Sequence, residues 1–122
     1  MKIQESAENY LESILMLSKT KPNVRSIDIA VELNYTKPSV SVAMKKLREN
    51  GYIMVDIDGH ITLTEAGLEI AEKMYERHKF LTDFLVKVGV SKEIAANDAC
   101  RIEHVLSSES FEKIKEYVNK ES

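Results

Sequence analysis

The chain holds one cysteine, two prolines and four glycines in 122 residues. Its apolar residues never run long. A lone cysteine excludes an intrachain disulfide framework and makes a reducing cytoplasm the natural setting. No run approaches the roughly 20 apolar residues that span a bilayer, so no membrane partner is expected. Met1–Ser6 lacks the apolar stretch of a signal peptide. The glycines stand singly at separate turns and leave little material for a catalytic loop. His-Glu-x-x-His, an oxyanion loop and a Gly-rich phosphate cradle are all missing, so an enzyme is not expected.

Hydrophobic residues make up 43% of the chain and charged residues 30%. That suits one ordinary domain, or two very small ones, with a real core. The net charge of −3 argues against a general nucleic-acid binder, but the charge is uneven. Residues 19–48 carry Lys19, Lys21, Arg25, Lys37, Lys45, Lys46 and Arg48 against Asp28 and Glu32, a local charge of +5 that leaves −8 elsewhere. Fields at a DNA surface are screened within about 10 Å, so a local basic patch on an acidic protein can still bind phosphates.

Apolar periodicity predicts a mainly α fold. Ser6 is a candidate N-cap for a first helix with Tyr10, Leu11, Ile14, Leu15 and Leu17 on its inner face. Ser26 is a candidate cap for a short second helix, and Asn34-Tyr35 makes a tight connection. Thr36 caps a third helix with Pro38 in its first turn, where a missing N–H costs nothing. That helix buries Val40, Ala43, Met44 and Leu47 and stops near Asn50-Gly51. Tyr52–Val55 and His60–Leu63 are β-prone runs around Asp56-Ile57-Asp58-Gly59, a hairpin signal. Thr64 caps a long helix closed by Gly89. Ser91 caps a fifth helix, and Ser107-Ser108 separates it from a last one.

Helix, helix, tight turn, helix and hairpin in that order make a winged helix-turn-helix. The third helix suits the major groove. Thr36, Lys37, Pro38, Ser39 and Ser41 fall at its N-terminal, deepest end. There small residues allow close approach, hydroxyls donate, and Pro38 suits thymine methyls. Lys45, Lys46 and Arg48 suit phosphates, which position rather than specify. The competing reading is a protein–protein module whose apolar spacing serves packing alone. His60 at the hairpin tip reads as a solvated turn residue.

A second constellation lies downstream. Cys100, Glu103 and His104 stand at i, i+3 and i+4, on one face of a helix. A thiolate, a carboxylate and an imidazole together can hold a transition metal. A regulatory site needs more donors from elsewhere in the fold. The first helix offers Asn9 and Glu12, and the long helix offers His78. Taken singly, each has a plainer reading: a structural histidine, or a cysteine acting as a small hydrophobe.

The motifs Tyr10-Leu11-Glu12-Ser13-Ile14, Lys37-Pro38-Ser39-Val40-Ser41, Leu63-Thr64-Glu65-Ala66-Gly67, Arg77-His78-Lys79-Phe80-Leu81 and Asp98–Ser107 occur in order along nearly the whole chain. They resemble the diphtheria-toxin-repressor and manganese-transport-regulator family. The resemblance implies a winged-helix DNA-binding domain over residues 1–71 and a helical metal-binding and dimerisation domain over 72–122. It implies a homodimeric repressor that binds double-stranded operator DNA when loaded with Fe(II) or Mn(II). The metal ligands it implies are Cys100, Glu103, His104, His78, Glu12 and Asn9. The set is a hybrid: Cys100 matches the iron-type branch and Glu12 the manganese-type branch, while Asn9 matches neither. Thr82 and Ala96 stand where the iron-type branch has further ligands. The chain reads as a short member without an SH3-like domain.

A thiolate leans the ion towards Fe(II), with other divalent transition metals able to bind in vitro. Metal shared by the first helix and the Cys100 helix would relieve repulsion among Glu8, Glu12 and Glu103. It would thereby set the spacing of two reading heads against half-sites about 34 Å apart. The apolar residues Leu81, Phe84, Leu85, Val105, Phe111 and Ile114 suit a dimer face, or equally an intramolecular core. The alternative function is a metal-independent winged-helix regulator responding to a small organic ligand. A metal buffer is a further rival.

Overall fold

Helix α1 (Glu5–Ser18) buries Tyr10, Leu11, Ile14 and Leu17 along one stripe. The computed structural model describes residues 5–121. Ser6 lies inside α1 rather than before it, so it is not the cap. The reading of Met1–Gln4 falls outside the described residues. The chain divides into two compact units between Lys73 and Met74.

In the first unit, helix α2 (Ser26–Leu33) is capped by Arg25 rather than by Ser26. An arginine side chain cannot accept a hydrogen bond, so the cap works the other way round. The Arg25 backbone N–H donates to the Asp28 carboxylate at 2.9 Å. That bond, reinforced by the Lys21 ammonium at 3.2 Å, holds the Asp28 carboxyl below its ordinary value against the opposing effect of burial. A carboxyl with a depressed folded-state pKa adds stability above its unfolded pKa, and loses it as pH falls through the folded value. Asp28→Ala is therefore expected to cost about 1 kcal/mol at neutral pH. The cost should shrink as pH falls through the depressed folded-state value, below which the carboxyl is neutral in folded and unfolded chain alike. Urea midpoints of the two proteins at pH 6 and in acid check this; a gap that persists in acid argues against the carboxylate.

Asn34, in left-handed conformation at φ 57°, turns the chain out of α2. Helix α3 (Lys37–Glu49) starts at Thr36, whose Oγ1 accepts from the Ser39 N–H at 3.3 Å. Its buried stripe is Val40, Met44 and Leu47. Strands β1 (Ile53–Val55) and β2 (Ile61–Leu63) pair antiparallel, with Ile53 opposite Leu63. Each is one residue shorter than its β-prone run. The wing has a third partner that local pattern did not show: the Ile61 N–H donates to the Val24 carbonyl at 2.7 Å. At the tip, the Asp56 carboxylate accepts from the Asp58 and His60 N–H groups, both at 2.9 Å, and Gly59 supplies φ 82°.

Helix α4 (Glu65–Lys87) starts at Thr64, whose Oγ1 accepts from the Gly67 N–H and donates to the Gly51 carbonyl. A Cβ on Gly67 would overlap the Tyr52 carbonyl oxygen, which already accepts the Thr64 N–H. Helix propensity alone favours Ala over Gly by about 1 kcal/mol. Overlap with backbone outweighs it, because backbone cannot swing away as a side chain can. Gly67→Ala is expected to destabilise the chain by about 2 kcal/mol net, read by urea denaturation. A gain in stability would refute the close approach.

In the second unit, helix α5 (Lys92–Val105) and helix α6 (Ser108–Glu121) follow the end of α4. Ser91 precedes α5 as expected, without a side-chain cap bond. Ser107 Oγ accepts from the Ser110 N–H at 3.0 Å and so starts α6. Buried here are Met74, Arg77, Leu81, Ala95, Ala99, Glu103 and Phe111, together with the side chain of His104. Leu81 and Phe111, candidates for a dimer face, are therefore core of a single chain. Val105 remains 71% exposed. No helix among the described residues is long and apolar enough to cross a membrane.

Candidate metal centre and nucleic-acid interface

The buried line of α5 is Ala95, Ala99 and Glu103, spaced four residues apart. Two alanines allow close packing, and the third position delivers a carboxylate with no solvent exposure at all. His78 of α4 and His104 of α5 flank it. His78 Nδ1 lies 3.3 Å from Glu103 Oε2, and His104 Nε2 lies 3.3 Å from Glu103 Oε1. A carboxylate removed from water keeps its charge only beside a positive partner, either an imidazolium or a bound cation. One carboxylate and two imidazoles supply oxygen and nitrogen donors suited to a divalent first-row ion. The donor set therefore fits the implied metal.

The second unit thus brings together His78, Glu103 and His104, two of them 25 residues apart. Cys100 stands exposed on α5, one residue beyond buried Ala99 and so rotated about 100° from it. Asn9, half-buried, and Glu12, buried, belong to α1 in the first unit. Thr82 Oγ1 donates to the His78 carbonyl at 2.7 Å, and Ala96 is half-buried.

Arg77 escaped the sequence reading as a site residue. It is only 4% exposed, and its Nη1 donates to the Glu103 carbonyl at 3.1 Å and to the Leu106 carbonyl at 2.7 Å. Its Nη2 reaches Ser108 Oγ at 3.4 Å, and the guanidinium lies 5.1 Å over the Phe111 ring. One cation thereby satisfies carbonyls at the C-terminal end of α5, where the helix dipole also favours positive charge. The available signal was its position among Met74, His78 and Leu81 at i−3, i+1 and i+4. An arginine beside a buried stripe has to find acceptors.

In the first unit, Lys37, Pro38, Ser39, Ser41, Lys45, Lys46 and Arg48 are all exposed on α3. Thr36 is exposed too, and its hydroxyl donates to Ser39 Oγ at 2.8 Å, so the hydroxyls at the helix start hold each other. His60 is partly exposed in the turn, as expected, and its ring is also held from both sides. Arg25 Nη2 donates to His60 Nε2 at 3.0 Å, which places the ring proton on Nδ1, 3.3 Å from Asp56 Oδ2. A cleft of about 230 Å³ near α1 and β2, lined by Ile14, Leu15, Val24 and Ile61, is smaller than pockets that hold drug-sized ligands, ~300–1,000 Å³.

A winged helix followed by a helical unit with a buried carboxylate–imidazole centre defines a class of protein, the metal-dependent transcriptional regulators. Residues 2–61 match the N-terminal DNA binding domain of iron dependent repressors. Residues 64–121 match the iron dependent repressor metal binding and dimerisation domain. An HTH-type transcriptional regulator of Methanocaldococcus jannaschii is 35% identical over 97% of this chain and 96% of its own. The HTH-type transcriptional regulator MntR of Lysinibacillus sphaericus is 34% identical over 93% of this chain and 81% of its own. The solved manganese regulator SloR is 25% identical with a TM-score of 0.82, over 98% of this chain and 55% of that one. This chain thus spans about half the length of the SloR chain. The chain belongs to the iron-dependent repressor family, whose members are transcriptional regulators rather than enzymes.

Proposed function

We propose that this chain is a metal-activated repressor that binds double-stranded operator DNA as a homodimer when loaded with Mn(II) or Fe(II), in a cytoplasmic setting. The observation that carries the reading is the fully buried Glu103 carboxylate between two imidazoles, in a domain matched to metal binding, behind a winged helix with a basic reading face. His78, Glu103 and His104 would hold the ion, and Arg77 fixes the backbone from which Glu103 projects. Asn9, Glu12 and Cys100 are proposed as further ligands on the sequence resemblance alone. The bound ion supplies positive charge that Glu103 neutralises.

Two lines pull the choice of ion apart. The thiolate of Cys100, if it ligates, favours Fe(II). The nitrogen and oxygen donors gathered in the second unit are acceptable to Mn(II), and SloR is a manganese regulator. Cys100→Glu decides between them: a shift of activation towards Mn(II) supports thiolate ligation.

The test is DNA binding across Mn(II), Fe(II), Co(II), Zn(II) and chelator, with metal affinity measured with and without the bound duplex. If metal acts by preferring the DNA-competent state, each ligand must tighten the other by the same factor, typically about 5–150-fold. Binding unaffected by chelator would instead support the metal-independent regulator.

A further inference from the structure

Helix α3 carries an apolar residue that its packing does not use. Its inner stripe is Val40, Met44 and Leu47. At about 100° per residue, the line opposite holds Pro38, Val42, Lys45 and Glu49. All four are exposed, Val42 at 56%. A β-branched residue on a solvated helix face has lower helix propensity than alanine and leaves apolar surface in water. Local stability gives no reason for it.

The surroundings indicate what covers it. Lys37, Lys45, Lys46 and Arg48 project from the exposed part of the same helix, a match for a polyanion. The apolar members of the exposed line, Pro38 and Val42, both fall in the first two turns of the helix, the end that reaches base edges in helix-turn-helix proteins.

We propose that Val42 is a sequence-reading residue: its side chain meets a thymine 5-methyl group in the major groove, beside Pro38. The inference rests on the DNA-binding reading of α3 given above. Thymine alone among the bases presents an apolar group in that groove. Valine has no hydrogen-bonding atom, so it separates thymine from cytosine by methyl contact. The lysines hold phosphates and are indifferent to sequence.

The experiment uses the full chain with Mn(II) and a duplex it selects from a random pool. Each thymine of that duplex is then replaced by deoxyuridine, which removes only the methyl group. At the thymine facing Val42, affinity should fall about fourfold. Val42→Ala, which favours the helix and leaves the core untouched, should bind the thymine duplex correspondingly less tightly and show no further loss with deoxyuridine. Its salt dependence should match wild type, because no phosphate contact is removed. If no duplex emerges from the pool, the DNA-binding reading itself fails. If a duplex emerges and its deoxyuridine series is the same for wild type and Val42→Ala, only the assignment of Val42 fails.

Discussion

Glu103→Gln is expected to weaken Mn(II) or Fe(II) binding by at least about 100-fold while leaving the metal-depleted chain folded. Glutamine preserves the shape of a side chain with no solvent exposure. It removes the one negative charge that lies 3.3 Å from both His78 and His104. Replacing groups that merely support a metal ligand typically costs 10–100-fold, so replacing the anionic donor itself should reach at least the upper end. The readout need not involve DNA. A ligand that binds only the native state at 100 times its Kd raises stability by about 2.7 kcal/mol, so wild type should gain that much on metal addition and Glu103→Gln almost nothing. His104→Ala should act in the same direction. Glu103→Gln protein still stabilised by metal to the wild-type extent would show that the ion sits elsewhere.

Arg77→Met should lower the stability of the chain by about 3–5 kcal/mol. Methionine is similarly long and can fill much of the same space, so the loss isolates hydrogen bonding from packing. The two charge-assisted bonds to carbonyls disappear, each worth roughly 1.5–3 kcal/mol, together with the longer one to Ser108 Oγ, and the Glu103 and Leu106 carbonyls lose their cationic donor at the end of α5. The contact with the Phe111 face goes as well. Arg77→Lys should recover only part of the loss, because a compact ammonium cannot serve both carbonyls, reach Ser108 Oγ and lie flat over the Phe111 ring as the guanidinium does. Because Arg77 holds the backbone of Glu103, metal affinity should fall too. Urea denaturation measures the first effect and calorimetric metal titration the second. A destabilisation under about 1 kcal/mol would mean that water replaces the guanidinium without cost.

Much of the first unit was legible from local chemistry. Thr36 followed by Lys37-Pro38 starts a helix by capping and by a proline placed where no N–H is needed. Asp56–Gly59 makes a turn because Asp56 accepts two backbone N–H groups and glycine accepts a positive φ. Such signals act within a few residues. The departures in this unit are also local: the cap of α2 is Arg25, with Asp28 reaching back to it, and not the serine one position later.

Spacing within the sequence alone determined that Cys100, Glu103 and His104 lie on one helix within a single turn. It equally determined the buried stripe of α3 and the local excess of positive charge in residues 19–48. Only the tertiary structure decided which side of α5 faces inward, and it chose the line of Ala95, Ala99 and Glu103 while leaving Cys100 exposed. It also decided that His78 meets Glu103 and that Arg77 holds the end of α5. The physical reason is that helical period ranks residues around an axis but carries no information about which neighbouring element covers a given side. That choice is made when small alanines let two helices approach and a buried carboxylate and a buried guanidinium must each find partners tens of residues away.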